Sequence, residues 1–170
     1  MKRFAIAVAS VAAVALASGT ALAGGGGATT ETFPVSFTIT SAQCSYLPAG
    51  ATVTGSGTET SITNVKTNAA GVTRVHNTSH ATGTGTDQDG NTYVFNYSND
   101  FTVSDAGSPG QFTGGMEDHF SLSGNGPATL SNGFRATVNT DFTTYFTLTP
   151  LRTRGDPIDF ATITAHCDPL

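Results

Sequence analysis

Apolar residues in this chain return at every second position, a spacing that fits an extended strand and not a helix. Tyr93, Phe95, Tyr97, Phe101 and Val103 fall on one side of such a strand, with Thr92, Asn96, Ser98, Asp100 and Thr102 on the other. Phe33, Val35, Phe37 and Ile39 alternate in the same way with Pro34, Ser36, Thr38 and Thr40. Phe112, Met116, Phe120 and Leu122 repeat the pattern, and Phe134, Ala136, Val138, Phe142, Phe146 and Leu148 read as a further run. Ile158, Phe160, Thr162 and Thr164 form a last strand. Turn residues separate these runs at Asn68–Gly71, Asp87–Gly90, Ala106–Gly110 and Asn125–Pro127. The expected fold is therefore all-β, an antiparallel meander of about seven to eight strands. Interior glycines at Gly55, Gly57, Gly83, Gly85, Gly114 and Gly115 allow sharp coiling, which favours a closed barrel. A two-sheet sandwich is the alternative, because the same alternation serves both.

The N-terminus carries an address. Met1-Lys2-Arg3 is positive, Phe4 to Leu16 is apolar, and Ala21-Leu22-Ala23 is a small-residue cleavage site, so residues 1–23 read as a signal peptide. Residues 24–30 are a flexible glycine-rich lead-in, and residues 31–170 are a single β domain. The expected location is extracellular. Losing Lys2 and Arg3 takes the formal charge from −5 to −7, leaving Lys66, Arg74, Arg135, Arg152 and Arg154 as the cations. A chain so acidic is repelled by phosphate backbones and anionic lipid, so no nucleic-acid partner is expected. Beyond the leader, no apolar stretch approaches the ~20 residues of a transmembrane segment. In an oxidising compartment two cysteines favour a bridge, Cys44–Cys167, tying the first strand to the C-terminus.

The segment Thr86-Asp87-Gln88-Asp89-Gly90-Asn91-Thr92-Tyr93 and the tail Arg154-Gly155-Asp156-Pro157 with His166-Cys167-Asp168-Pro169-Leu170 resemble small secreted proteins of actinobacteria. That resemblance implies export and assigns no activity. In architecture the meander is similar to lipocalin and allene oxide cyclase barrels, a likeness of fold alone, and a lipocalin Gly-x-Trp is impossible in a chain without Trp.

Several motifs yield to plainer readings. Asp87, Asp89 and Asn91 hold the first, third and fifth places of a calcium loop. Thr92 replaces its glycine and Ser98 its bidentate glutamate, so a hairpin turn explains the run better. His76 and His80 on a strand lie about 13 Å apart, too far to share a metal. His119 stands beside Glu117 and Asp118, but adjacent strand residues point to opposite faces, so the three do not gather into one site. Arg154-Gly155-Asp156 before Pro157 reads as a turn. With no nucleophile elbow and no phosphate loop, neither metal nor cofactor is expected.

Register supplies one constellation. If Gly71 and Gly90 each close a turn with a bulge, Glu59 lies opposite Ala81 and Ala81 opposite Tyr97, while the next hairpin sets Tyr97 opposite Asp118. Glu59, Tyr97 and Asp118 then share a row on the apolar face, where burial raises carboxyl pKa values. The expected function is a secreted, non-enzymatic β-barrel holding a small apolar ligand against Glu59, Tyr97, Asp118, Phe95 and Met116. An isomerase or cyclase using Glu59 and Asp118 as acid and base, with Tyr97 orienting the substrate, is the first alternative. An envelope or extracellular structural protein is the second. No oligomeric state is specified.

Overall fold

A computed structural model describes residues 27–42, 44, 46–108 and 110–155. The strand expected at Ile158–Thr164 lies outside the described residues. Seven strands follow one another in chain order: β1 (Ala28–Thr40), β2 (Thr52–Thr67), β3 (Thr73–Asp87), β4 (Thr92–Asp105), β5 (Phe112–Gly124), β6 (Leu130–Thr140) and β7 (Phe146–Gly155). They form one antiparallel sheet in the order β1 to β7, and no helix occurs among the described residues. Ala28–Thr30, expected in the lead-in, already pair with Ile62–Asn64 as the start of β1.

Among the described residues the sheet is rolled but not closed. The Phe37 ring on β1 meets Phe95 on β4 at 5.0 Å and Phe120 on β5 at 5.9 Å, both edge-on. A flat sheet, with neighbouring strands ~4.8 Å apart, would hold those rings roughly 14 and 19 Å away. Coiling therefore turns the alternating apolar face inward, so that opposite parts of one sheet cover each other. Among the described residues the expected closed barrel is not formed: there β1 pairs only with β2, and β7 only with β6. Both terminal strands are built as edges. Pro34 in β1 and Pro150 in β7 have no N–H to donate, and a bulge opposite Arg135/Ala136 leaves Leu151 as an extra residue in β7. Arg152 and Arg154 then stand exposed along an edge that charge protects from further pairing.

Two apolar clusters fill the two ends of the roll. One gathers Phe37, Ile39, Val53, Phe95, Phe120 and Leu122, and is plugged by Cys44, Leu47 and Ala51 from the β1–β2 connection and by Ala128 before β6. The other gathers Val75, Phe101, Val103 and Val138, with Met116, Phe142 and Phe146 packed against it. Phe142 explains a difference from the sequence reading, in which Phe134 to Leu148 run on as one pattern. The chain turns at Asp141–Tyr145, where the Asp141 carboxylate accepts the amides of Thr143 at 2.8 Å, Thr144 at 2.7 Å and Tyr145 at 3.1 Å. Phe142 sits at φ 61°, a left-handed conformation that L-residues resist, and its ring packs on Phe101 and Phe112.

Close packing at the first end depends on a glycine pair. Gly57 and Gly83 face each other across β2 and β3, and the Phe95 ring lies over them. A Cβ on Gly83 would stand 2.6 Å from Phe95 Cε1 and 2.5 Å from Gly57 Cα, besides colliding with the Ser56 carbonyl. Gly83→Ala is expected to cost about 1–3 kcal/mol, measured as a lowered urea midpoint. An unchanged midpoint would show that the strands are not this close.

Candidate functional site

Between the two apolar clusters the inner face becomes polar. β2 contributes Glu59 and Ser61, β3 contributes Asn77 and Ser79, β4 contributes Tyr97 and Asn99, β5 contributes Asp118 and β6 contributes Asn132. Each holds a position of the same parity as its strand's apolar residues, so alternation alone turns it inward. All are buried, and Glu59, Asn99 and Asp118 are each 4% exposed.

Turn geometry aligns part of this belt as the sequence reading expects. Gly71 and Gly90 adopt φ values of 80° and 82°, and Glu59 pairs with Ala81, which pairs with Tyr97. The β4–β5 register differs. Tyr97 lies opposite Phe120, and Asp118 opposite Asn99. This shift of two residues preserves the face, because side chains alternate with period two. Asp118 consequently stays inside and reaches Tyr97 diagonally. Phe95 and Met116 lie to either side of the belt, Phe95 within the first apolar cluster and Met116 against the second.

Asp118 is the hub. Its Oδ2 accepts the Tyr97 hydroxyl at 2.7 Å and the Asn99 Nδ2 at 2.9 Å. Across the roll, Asn77 Nδ2 donates to Ser61 Oγ at 2.7 Å and to Thr63 Oγ1 at 2.8 Å, while Ser79 Oγ donates to Asn77 Oδ1 at 3.3 Å. Glu59 lies close enough to feel the Asp118 charge. Burial raises its carboxyl pKa above the ordinary 4.5, a hydrogen bond with Ser79 opposes the rise, and Asp118 adds to it. Every Lys and Arg among the described residues is exposed, so no fixed cation offsets the two carboxyl groups. Two buried acceptors, Asp118 Oδ1 and Asn99 Oδ1, have no hydrogen-bond partner among the described residues.

The remaining sequence candidates lie elsewhere. Asp87 organises its hairpin, accepting the amides of Asp89 at 3.0 Å and Asn91 at 2.9 Å, the Asn91 Nδ2 at 2.8 Å and the Tyr93 hydroxyl at 2.7 Å. The bond from the Asn91 side chain is the main reason its carboxyl is held below the ordinary 3.8. His76, His80 and His119 stand on the outer face, with His76 3.2 Å from Asp100. There His80, Ser98, Asp100, Glu117, His119 and Arg154 line an open depression of about 430 Å³. Its acids are engaged locally, Asp100 by His76 and Glu117 by Arg135 at 2.6 Å. No group of three or more His, Cys, Asp or Glu among the described residues is placed to hold a metal. No helix among them is long and apolar enough to cross a membrane.

Cys44 is fully buried, and no cysteine among the described residues is a free thiol. Cys167 lies outside the described residues. The chain matches no family model, no curated protein and no solved structure.

Proposed function

We propose that this is a secreted, non-enzymatic binding protein whose rolled sheet holds a small, mainly apolar ligand across the buried polar belt. One observation carries the reading: Asp118 Oδ1 and Asn99 Oδ1 are buried acceptors without a hydrogen-bond partner among the described residues, lying between two apolar clusters. Leaving a buried polar atom unsatisfied costs about 1–3 kcal/mol, so such atoms are rare unless something else bonds them. A ligand with an apolar body and a polar end matches the arrangement, since binding sites combine apolar walls with a few placed polar groups. Mass spectrometry of molecules released on denaturing protein purified from its native host tests the reading. A small molecule released from wild type, and depleted in Asp118→Asn, is the expected result. Release of no small molecule would overturn it.

The pairing of Tyr97 with Asp118 beside a raised Glu59 also favours a second reading, an acid–base enzyme of isomerase or cyclase type. In that case Glu59→Gln would retain the bound molecule and abolish its conversion. Conversion by the variant at the wild-type rate would remove this reading.

We also infer a Cys44–Cys167 bridge, supported by a signal-like leader, an even cysteine count and the absence of a free thiol at Cys44. Cys44→Ser is expected to cost about 2–5 kcal/mol, and a thiol reagent should label neither cysteine of the folded wild type. Labelling of both would contradict the bridge.

A further inference from the structure

We propose that the polar end of the bound ligand is a primary ammonium group, seated among Asp118 Oδ1, Asn99 Oδ1 and the Glu59 carboxylate. The inference rests on the interior-binding reading and adds the chemistry of the head group.

The belt's hydrogen-bond inventory selects a donor. Tyr97 O–H and Asn99 Nδ2 both point at Asp118 Oδ2, and Asn77 Nδ2 serves Ser61 and Thr63. What remains open is acceptor capacity: Asp118 Oδ1 and Asn99 Oδ1 have no partner among the described residues, and the Glu59 carboxylate keeps lone pairs beyond the one that Ser79 uses. An ammonium carries three donors and no acceptor, whereas a hydroxyl has one donor and brings acceptors of its own.

Charge selects the same group. Two carboxyl groups are buried near one another, and every Lys and Arg among the described residues is on the surface. A buried carboxylate is costly unless it is paired, and a second one nearby adds repulsion. One positive ligand head relieves both effects, while an anionic head would compound them. A bare divalent cation fits less well. Calcium takes six to eight oxygen ligands, and no set of three or more His, Cys, Asp or Glu converges here among the described residues.

On the β2–β3 side Ser61, Ser79 and Ala81 present small side chains inward, the least bulky part of the belt's lining. The apolar clusters on either side suit an alkyl or aryl body, with the Tyr97 ring at the boundary.

Calorimetry with three probes of equal length, n-hexylammonium, 1-hexanol and hexanoate, decides the matter at neutral pH. The ammonium is expected to bind about tenfold or more tightly than hexanol, and hexanoate not to bind. In Glu59→Gln and Asp118→Asn the ammonium should lose about tenfold in affinity, with hexanol unchanged. Should a variant fail to fold, the ranking of the three probes on wild type still decides. Hexanol or hexanoate binding as well as the ammonium would overturn the cationic head and leave an interior site standing. Failure of all three to bind would overturn the head group and the site together.

Discussion

Phe95→Ala is expected to destabilise the protein by about 3–5 kcal/mol, read from the denaturant midpoint. Phe95 is fully buried and holds together three parts of the roll. Its ring meets Phe37 at 5.0 Å and stacks on Phe120 at 6.3 Å, and its face lies over Gly57 and Gly83. Truncation leaves a cavity that glycines, with no side chains to move, cannot fill. Because domains are stable by only about 5–15 kcal/mol, this change removes a large share of the total. A loss below about 1 kcal/mol would mean that the first strand does not curl over the fourth.

Asp118→Ala should be the most damaging change in the polar belt, and Asp118→Asn should be nearly harmless to the unliganded protein. Alanine strands two buried donors, the Tyr97 hydroxyl and the Asn99 amide, at about 1–3 kcal/mol each. Asparagine keeps an acceptor for both, removes a buried charge, and brings an N–H₂ that can meet the open Asn99 Oδ1. Thermal melts of the two variants separate these effects. Equal losses would show that Asp118 matters for its charge and not for its hydrogen bonds. A variant that keeps stability while losing ligand is the pattern expected of a site selected for binding.

The two perturbed carboxyl groups pull the pH profile in opposite directions. Glu59 has a raised pKa in the folded state, so its contribution is full below the ordinary 4.5 and is lost as pH rises through the raised value. Asp87 has a lowered one, so its contribution is full above the ordinary 3.8 and is lost as pH falls through the lowered value. In melts of unliganded protein, Glu59→Gln should therefore gain on wild type as pH increases from about 4.5. A constant difference between the two proteins would contradict a buried Glu59.

Much of this was legible in residue parity. The alternation of Tyr93 to Val103 assigns β4 its inner face, and turn glycines at 71 and 90 align Glu59, Ala81 and Tyr97 across three strands. Asp118 shifted by two positions because the β4–β5 connection is not a tight turn. Ala106–Gln111 link Asp105 to Phe112, with Gly107 and Gly110 both at positive φ. Parity also marks Asn77 between Val75 and Ala81, and Asn99 between Tyr97 and Phe101, but polar residues within an apolar rhythm are easily passed over. The turn at Asp141–Tyr145 has neither glycine nor proline, and Phe142 continues the alternation through it. The expected closure is not seen among the described residues, since strand length and glycine content speak for coiling alone. Pro34 and Pro150 are the residues that speak for edges.

A crystal structure of protein purified from its native host, at a resolution that separates water from an organic molecule, tests the central claim most directly. The account predicts density for a bound molecule with an atom within hydrogen-bond distance of both Asp118 Oδ1 and Asn99 Oδ1. Ordered water alone on those two oxygens, with protein side chains filling the rest of the belt, would contradict it.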